Sequence, residues 1–222
     1  MPTPTLVQPR DIVLQTLHFE QPETCPYYIW IDADMVGPLS ERYGADQFIG
    51  PPDGTRTFAT SHTFMTEIGP LPVWDNGESY MDDYGVEYRR GSPLHVERPA
   101  LPEPTLKGYQ FPDLTTDRHF EGLDQWLQLH AQRFRIVQLG MMFFERTWGM
   151  RGMENIFMDL YEHPGFVEEL MAGLETVCLQ VIERLLRDYG DRIDAIGLSD
   201  DYGTQRGLMI SPGHWRRFVK PH

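Results

Sequence analysis

The chain has 222 residues, 41% hydrophobic and 23% charged, with a formal net charge of -14 and a pI near 4.9. So acidic a surface repels phosphate backbones and anionic headgroups, which argues against nucleic-acid and membrane-surface binding. Two cysteines, Cys25 and Cys178, exclude a disulfide framework and a multi-cysteine metal motif. No apolar run approaches the ~20 residues of a membrane span, and no basic segment followed by an apolar core opens the chain. The expectation is a cytoplasmic protein with one domain over residues 1–222.

Residues 1–9 read as a frayed proline-rich tail, after which Asp11 caps a short helix through Ile12, Val13, Leu14 and Leu17. Tyr27 to Ile31 is a β-type run ended by Asp32 and Asp34, which fit helix capping better than metal binding. Cys25, before Pro26, reads as packing. Residues 35–43 form a short helix closed by Gly44. From 50 to 113 prolines and glycines are frequent, predicting loops with short antiparallel strands, such as Val86–Arg90 and Leu94–Arg98 around Gly91, Ser92 and Pro93. Then Phe120, Leu123, Trp126 and Leu127 recur at helical spacing, with Thr116 or Asp117 as N-cap. Phe134 to Leu139 is a strand, Gly140 to Trp148 a loop at its C-terminal end, and 152–161 a short helix. His163 and Pro164 open the clearest helix, whose stripe runs from Phe166 through Leu170, Leu174, Val177, Cys178, Val181, Ile182 and Leu185 to Leu186. Gly190 ends it. Ile193 to Leu198 follows as a strand whose Ala195–Leu198 portion reads as buried, and Ser211 with Pro212 caps a last helix. This strand–helix–strand–helix order predicts parallel strands joined by a crossover.

Carboxylates at the C-terminal end of a parallel strand sit where α/β folds place chemistry. Asp200 and Asp201 hold that position and are candidates to orient substrate, stabilise positive charge or, where burial raises a pKa, act as base. The competing reading is that they cap the turn at Tyr202 and Gly203. Glu145 and Arg146 follow the preceding strand. Arg146 or Arg151 can fork onto a substrate carboxylate, while a surface Glu145–Arg146 salt bridge is the plainer alternative. No histidine spacing suggests a metal site. His130 suits a helix C-terminus. Met141, Met142, Met150 and Met153, near Phe143, Phe144 and Trp148, read as core or as the lining of an apolar pocket. Gly203 to Gly207 lacks the ending of a phosphate loop.

Several segments, in this order, resemble the uroporphyrinogen decarboxylase family, which includes corrinoid-linked methyltransferases. They are Arg10 to Pro26, Asp83 to Tyr88 with Phe111 to Asp113, Arg151 to Leu160 with Pro164, and Asp200 to Gln205 with Ile210 to Pro212 and Phe218 to Pro221. The resemblance implies a (β/α)8 TIM barrel with its cleft at the C-terminal strand ends. Such a barrel needs ~250 residues, so the expectation is an incomplete barrel: a loop-rich N-terminal elaboration over 1–115 and the first clear βα units over 116–222. Asp200, Asp201 and Glu145 become the implied catalytic residues, and Arg146, Arg151, Tyr202 and Gln205 the implied substrate contacts. The methyltransferase branch further implies zinc and a corrinoid protein partner in a complete relative; neither is expected to be bound by this chain alone. The branch's later histidine and cysteine ligands have no match here, nor does the arginine-rich motif of true decarboxylases. The alternatives are a decarboxylase of tetrapyrrole biosynthesis, or a non-catalytic barrel fragment. Such a chain is expected to be inactive alone and to self-associate or be completed by another chain.

Overall fold

The computed structural model describes residues 7–49, 56–91 and 95–222. In chain order the elements are helix α1 (Pro9–Leu17), strand β1 (Trp30–Ile31), α2 (Ala33–Tyr43), β2 (Phe48–Ile49), β3 (Arg56–Phe58), β4 (Thr63–Glu67), β5 (Pro72–Asp75), β6 (Ser79–Asp82), β7 (Glu87–Arg89), β8 (His95–Arg98), α3 (Leu123–Leu129), β9 (Phe134–Leu139), α4 (Phe144–Arg151), α5 (Met153–Glu162), α6 (Pro164–Tyr189), β10 (Ala195–Leu198), β11 (Gly203–Thr204), β12 (Gly207–Leu208) and α7 (Pro212–His214). The protein is mixed α/β. Among the described residues no helix is long and apolar enough to cross a membrane, and no sheet closes into a barrel.

The chain divides into two compact units. The first takes residues up to Thr66 together with Gly122–Gln138 and Gly190–Ile196; the second takes Glu67–Glu121, Leu139–Tyr189 and Gly197–His222. In the first, β3 pairs antiparallel with β1 and β2. The start of the sheet ordered β10-β9-β4 also lies here. Phe134 N–H donates to His62 C=O (3.1 Å) and Asp194 N–H to Arg135 C=O (2.9 Å), so β4 and β10 both enter beside the start of β9 and the three strands run parallel. Asp194 clasps this end: Arg10 donates to it at 2.7 Å, and Arg135 through its backbone N–H (2.8 Å) and Nε (3.1 Å). The parallel pairing expected for 134–139 and 193–198 is therefore present.

The second unit is built on α6. Phe166, Val167, Leu170, Met171, Leu174, Val177, Cys178, Val181 and Leu185 are buried along one stripe, as their spacing requires. Leu186 falls off the stripe and is exposed. Helices α4 and α5 pack on α6. So does the loop before α3: a Cβ on Gly173 would collide with the Phe111 ring, so the glycine lets that ring rest on the helix. Strands β5 to β8 form an antiparallel sheet in sequential order, the architecture expected for the proline- and glycine-rich region. Ser92, Pro93 and Leu94 of the expected hairpin lie outside the described residues, as do residues 1–6 of the expected tail.

Several local expectations need correction. Helix α1 starts at Pro9, and Asp11 sits in its first turn rather than at its cap, where its charge still favours the helix N-terminus. Tyr27 to Ile29 are not strand. Asp32 occupies the α2 N-cap position without a side-chain cap bond. Cys25 is exposed, in the irregular stretch between α1 and β1. The helical spacing from Phe120 to Leu127 is split by Gly122 (φ 80°) into a 3-10 turn and α3. Strand β10 is half-buried, with Leu198 exposed, because it is the edge strand of its sheet. Residues from Phe144 onward are helix, not loop. Ser211 does cap the last helix, accepting from His214 N–H at 3.1 Å.

Candidate functional site at the strand tips

The C-terminal ends of the three parallel strands meet in the second unit. A Cβ built on Gly140, just after β9, would lie 2.9 Å from Glu67 Oε1 at the end of β4 and 3.5 Å from Ser199 Oγ after β10. Glycine at this crossing leaves room for both neighbours. Met141 follows with φ 52°, a left-handed value uncommon for a side-chain-bearing residue, and turns the chain from β9 into α4.

Asp200 holds the start of α4. Its carboxylate accepts from Phe144 N–H (2.8 Å) and Glu145 N–H (2.6 Å), two donors that a helix N-terminus otherwise leaves unpaired. Tyr202 also donates its hydroxyl to Asp200, and its ring stacks on Phe144 with centroids 5.9 Å apart. Burial, then the neighbouring Asp200, pushes the Tyr202 phenol well above its usual range, so it remains a proton donor at neutral pH. Asp201 takes the turn-capping role: its Oδ1 accepts from Gly203 N–H at 2.9 Å. The half-buried Glu145 beside them has its carboxyl raised, first by burial and then by Asp200, Asp201 and Glu67. A carboxyl tuned upward next to a fixed carboxylate can hold and release a proton, the arrangement acid–base sites use.

Of the expected site residues, the structure brings together Asp200, Tyr202, Glu145 and Asp201, and leaves three elsewhere. Arg146 is not a surface partner of Glu145. It is 3% exposed and donates to Asp82 (3.0 Å), to the Tyr88 hydroxyl (3.2 Å) and to Met141 C=O (3.2 Å), with its guanidinium 4.6 Å from the Tyr84 ring centre. Arg151 is buried against Asp159 (2.7 Å) and the carbonyls of Leu101 (3.3 Å) and Pro102 (2.6 Å). Gln205 is exposed in the turn between β11 and β12. Of the methionine cluster, Met142 and Met150 are core, whereas Met153 is exposed. Sequence reasoning missed Glu67 and Trp215, the latter lining one cleft with Tyr202. An acid ending a short β-type run before Gly69 and Pro70 was the available signal for Glu67; nothing local marked Trp215.

Among the described residues, no three His, Cys, Asp or Glu side chains converge as a metal-binding group. No protein-family model, curated protein or solved structure matches this chain.

Proposed function

We propose that the chain carries the strand-tip site of a uroporphyrinogen decarboxylase-type barrel of the methyltransferase-like branch, acting on a small molecule in the cytoplasm with a corrinoid protein as partner. The observation that carries this reading is the carboxylate of Asp200 at the tip of β10, fixed by the α4 N-terminus and Tyr202, with the proton-holding Glu145 beside it. In this reading Asp200 and Tyr202 orient the substrate, and Glu145 gives or takes the proton that accompanies transfer. A decarboxylase is the second choice, because it needs guanidinium groups turned to the cleft, and Arg146 and Arg151 are spent on Asp82 and Asp159.

Zinc would supply thiol activation in a complete methyltransferase, but no three His, Cys, Asp or Glu side chains group to hold it among the described residues. The described cleft at Tyr202, about 210 Å³, is smaller than the ~300 Å³ at which ligand pockets begin, which leaves a corrin ring to the partner.

The test supplies zinc, a thiol and methylcobalamin to the purified chain, alone and combined with a chain carrying the second half of a methyltransferase-branch barrel, and follows demethylation by visible absorbance, with uroporphyrinogen assayed in parallel. The chain alone is expected to be inactive; the reading expects demethylation above the protein-free rate only in the completed barrel, lower there by roughly 100-fold in Glu145→Gln, the scale on which a general acid–base contributes. In that barrel, decarboxylation without demethylation selects the second choice, and neither reaction overturns both.

A further inference from the structure

The strongest unassigned feature is the cleft formed by Tyr202, Leu208, Ile210, Pro212, Trp215 and Arg216. Its walls come from the β11–β12 hairpin and the helical turn that follows. Ser211 and Pro212 start that turn, and from Trp215 to Val219 it becomes π-helical, with Lys220 N–H reaching back five residues to Trp215 C=O. Such bulges recur where a side chain must be re-aimed at a ligand. Here the π turn begins with the two residues, Trp215 and Arg216, that line the cleft. Most of the remaining wall is apolar: Ile210 is buried at its base, while Leu208 is 64% exposed and Trp215 37% exposed.

Arg216 is exposed at this cleft, and no ion pair engages it among the described residues, whereas its neighbour Arg217 is held by Glu168 at 2.8 Å. A guanidinium with no ion pair beside an apolar wall is open to an anion. The nearest carboxylates in sequence already have partners: Asp200 on Phe144, Glu145 and Tyr202, and Asp201 on Gly203. An apolar, aromatic-walled hollow with a single free cation complements a molecule with one flat or branched apolar body and one anionic end. At about 210 Å³ the hollow is below drug-sized pockets, which start near ~300 Å³.

We propose that this cleft binds a small apolar monocarboxylate, an aryl or branched-alkyl acid, with its ring or alkyl body against Trp215, Leu208 and Ile210 and its carboxylate on Arg216. The site shares Tyr202 with the strand-tip site, but the proposal does not depend on methyl transfer.

Benzoate and its neutral isostere benzamide are titrated into the full chain while the indole N–H signals of its tryptophans are followed by NMR, with Trp215→Phe identifying the Trp215 signal. Benzoate is expected to shift that signal saturably and to bind about two- to fivefold more tightly than benzamide, the scale of one exposed charge pair. Arg216→Ala should erase the preference and leave benzamide unchanged. Arg206→Ala, a cation on the same hairpin that does not line the cleft, should change neither affinity. Leu208→Asp should abolish both. Arg206, Leu208 and Arg216 are all exposed, so unchanged thermal melts will show that their variants remain folded. Equal binding of the two probes, insensitivity to Arg216→Ala, or no shift of the Trp215 signal overturns the proposal. Methylcobalamin turnover is scored separately, so either reading can fail alone.

Discussion

Glu145 and Arg146 are neighbours on α4, yet their charges live in opposite settings. Arg146 enters a buried network in which Asp82 balances its charge, Tyr88 and Met141 also accept from it and the Tyr84 face covers it. Asp82 in turn builds the β6–β7 turn, accepting from Val86 N–H at 3.0 Å and, through its carbonyl, from Gly85 N–H at 2.9 Å. Glu145 sits among Asp200, Asp201 and Glu67, whose repulsion together with burial outweighs the pull of Arg146 and raises its carboxyl. One side of the helix start is electrostatically satisfied, and the other is held in repulsion. Proteins keep unsatisfied charge where function needs it and stabilise the fold elsewhere.

The largest effect should come from breaking the satisfied side. Arg146→Met leaves Asp82, 2% exposed, without its counter-charge. Removing one partner of a buried pair costs about 3–5 kcal/mol, to be read from urea unfolding at pH 7. Burial already pushes the Asp82 carboxyl up against the pull of Arg146. With the arginine gone that rise grows, so the deficit should shrink as pH falls through the raised native value of Asp82 toward the ordinary carboxylate range. Arg146→Met with Asp82→Leu should recover part of the loss. A cost under about 1 kcal/mol would mean that the pair behaves as a surface bridge.

A second charged centre lies in the other unit. Burial would raise the Asp194 carboxyl, but the bonds from Arg10 and Arg135 outweigh it and hold the group below the usual carboxylate range. Stability from this clasp is therefore fully present above about pH 4 and is lost as pH falls through the depressed native value. Asp194→Asn should cost about 2–3 kcal/mol at pH 7, and its curve of stability against pH should be flatter than that of the parent below pH 4. Parallel curves would remove Asp194 from the acid response.

Periodicity made α6, β9 and the position of β10 legible, because apolar spacing over 26 residues, or six, reports burial directly. Ser211 was legible for the same local reason: a cap and its target lie three residues apart. The start of α4 was not. Its first N–H groups are paired by Asp200, 56 and 55 residues away, so the local sequence, rich in aromatic residues, looks like a loop. Arg146 misled in the same way, since its partner Asp82 is 64 residues distant. Asp200 and Tyr202 could be placed from strand position alone, whereas Glu67 could not, because β4 was hidden among short antiparallel strands.

The smallest effect should come from relieving the repelled side. A carboxyl whose native value is raised prefers its proton when the chain is folded. Its ionisation therefore costs stability progressively as pH climbs from the ordinary carboxylate range, about 4.3, through the raised native value, and the penalty is constant above it. Glu145→Gln removes that penalty while keeping shape and volume. Because Glu145 is half-exposed, solvent screens the repulsion, and the gain should be under about 1 kcal/mol at pH 7. The gain should vanish near pH 4, where both side chains are neutral. Chemical denaturation of the parent and Glu145→Gln at pH 4 and pH 7 measures the difference directly. A variant that is more stable at neutral pH yet slower in demethylation once the barrel is completed would mark Glu145 as a residue kept at a cost to the fold. A variant equally stable at both pH values would mean that water already neutralises the strand-tip repulsion, and the contrast across α4 would reduce to burial alone.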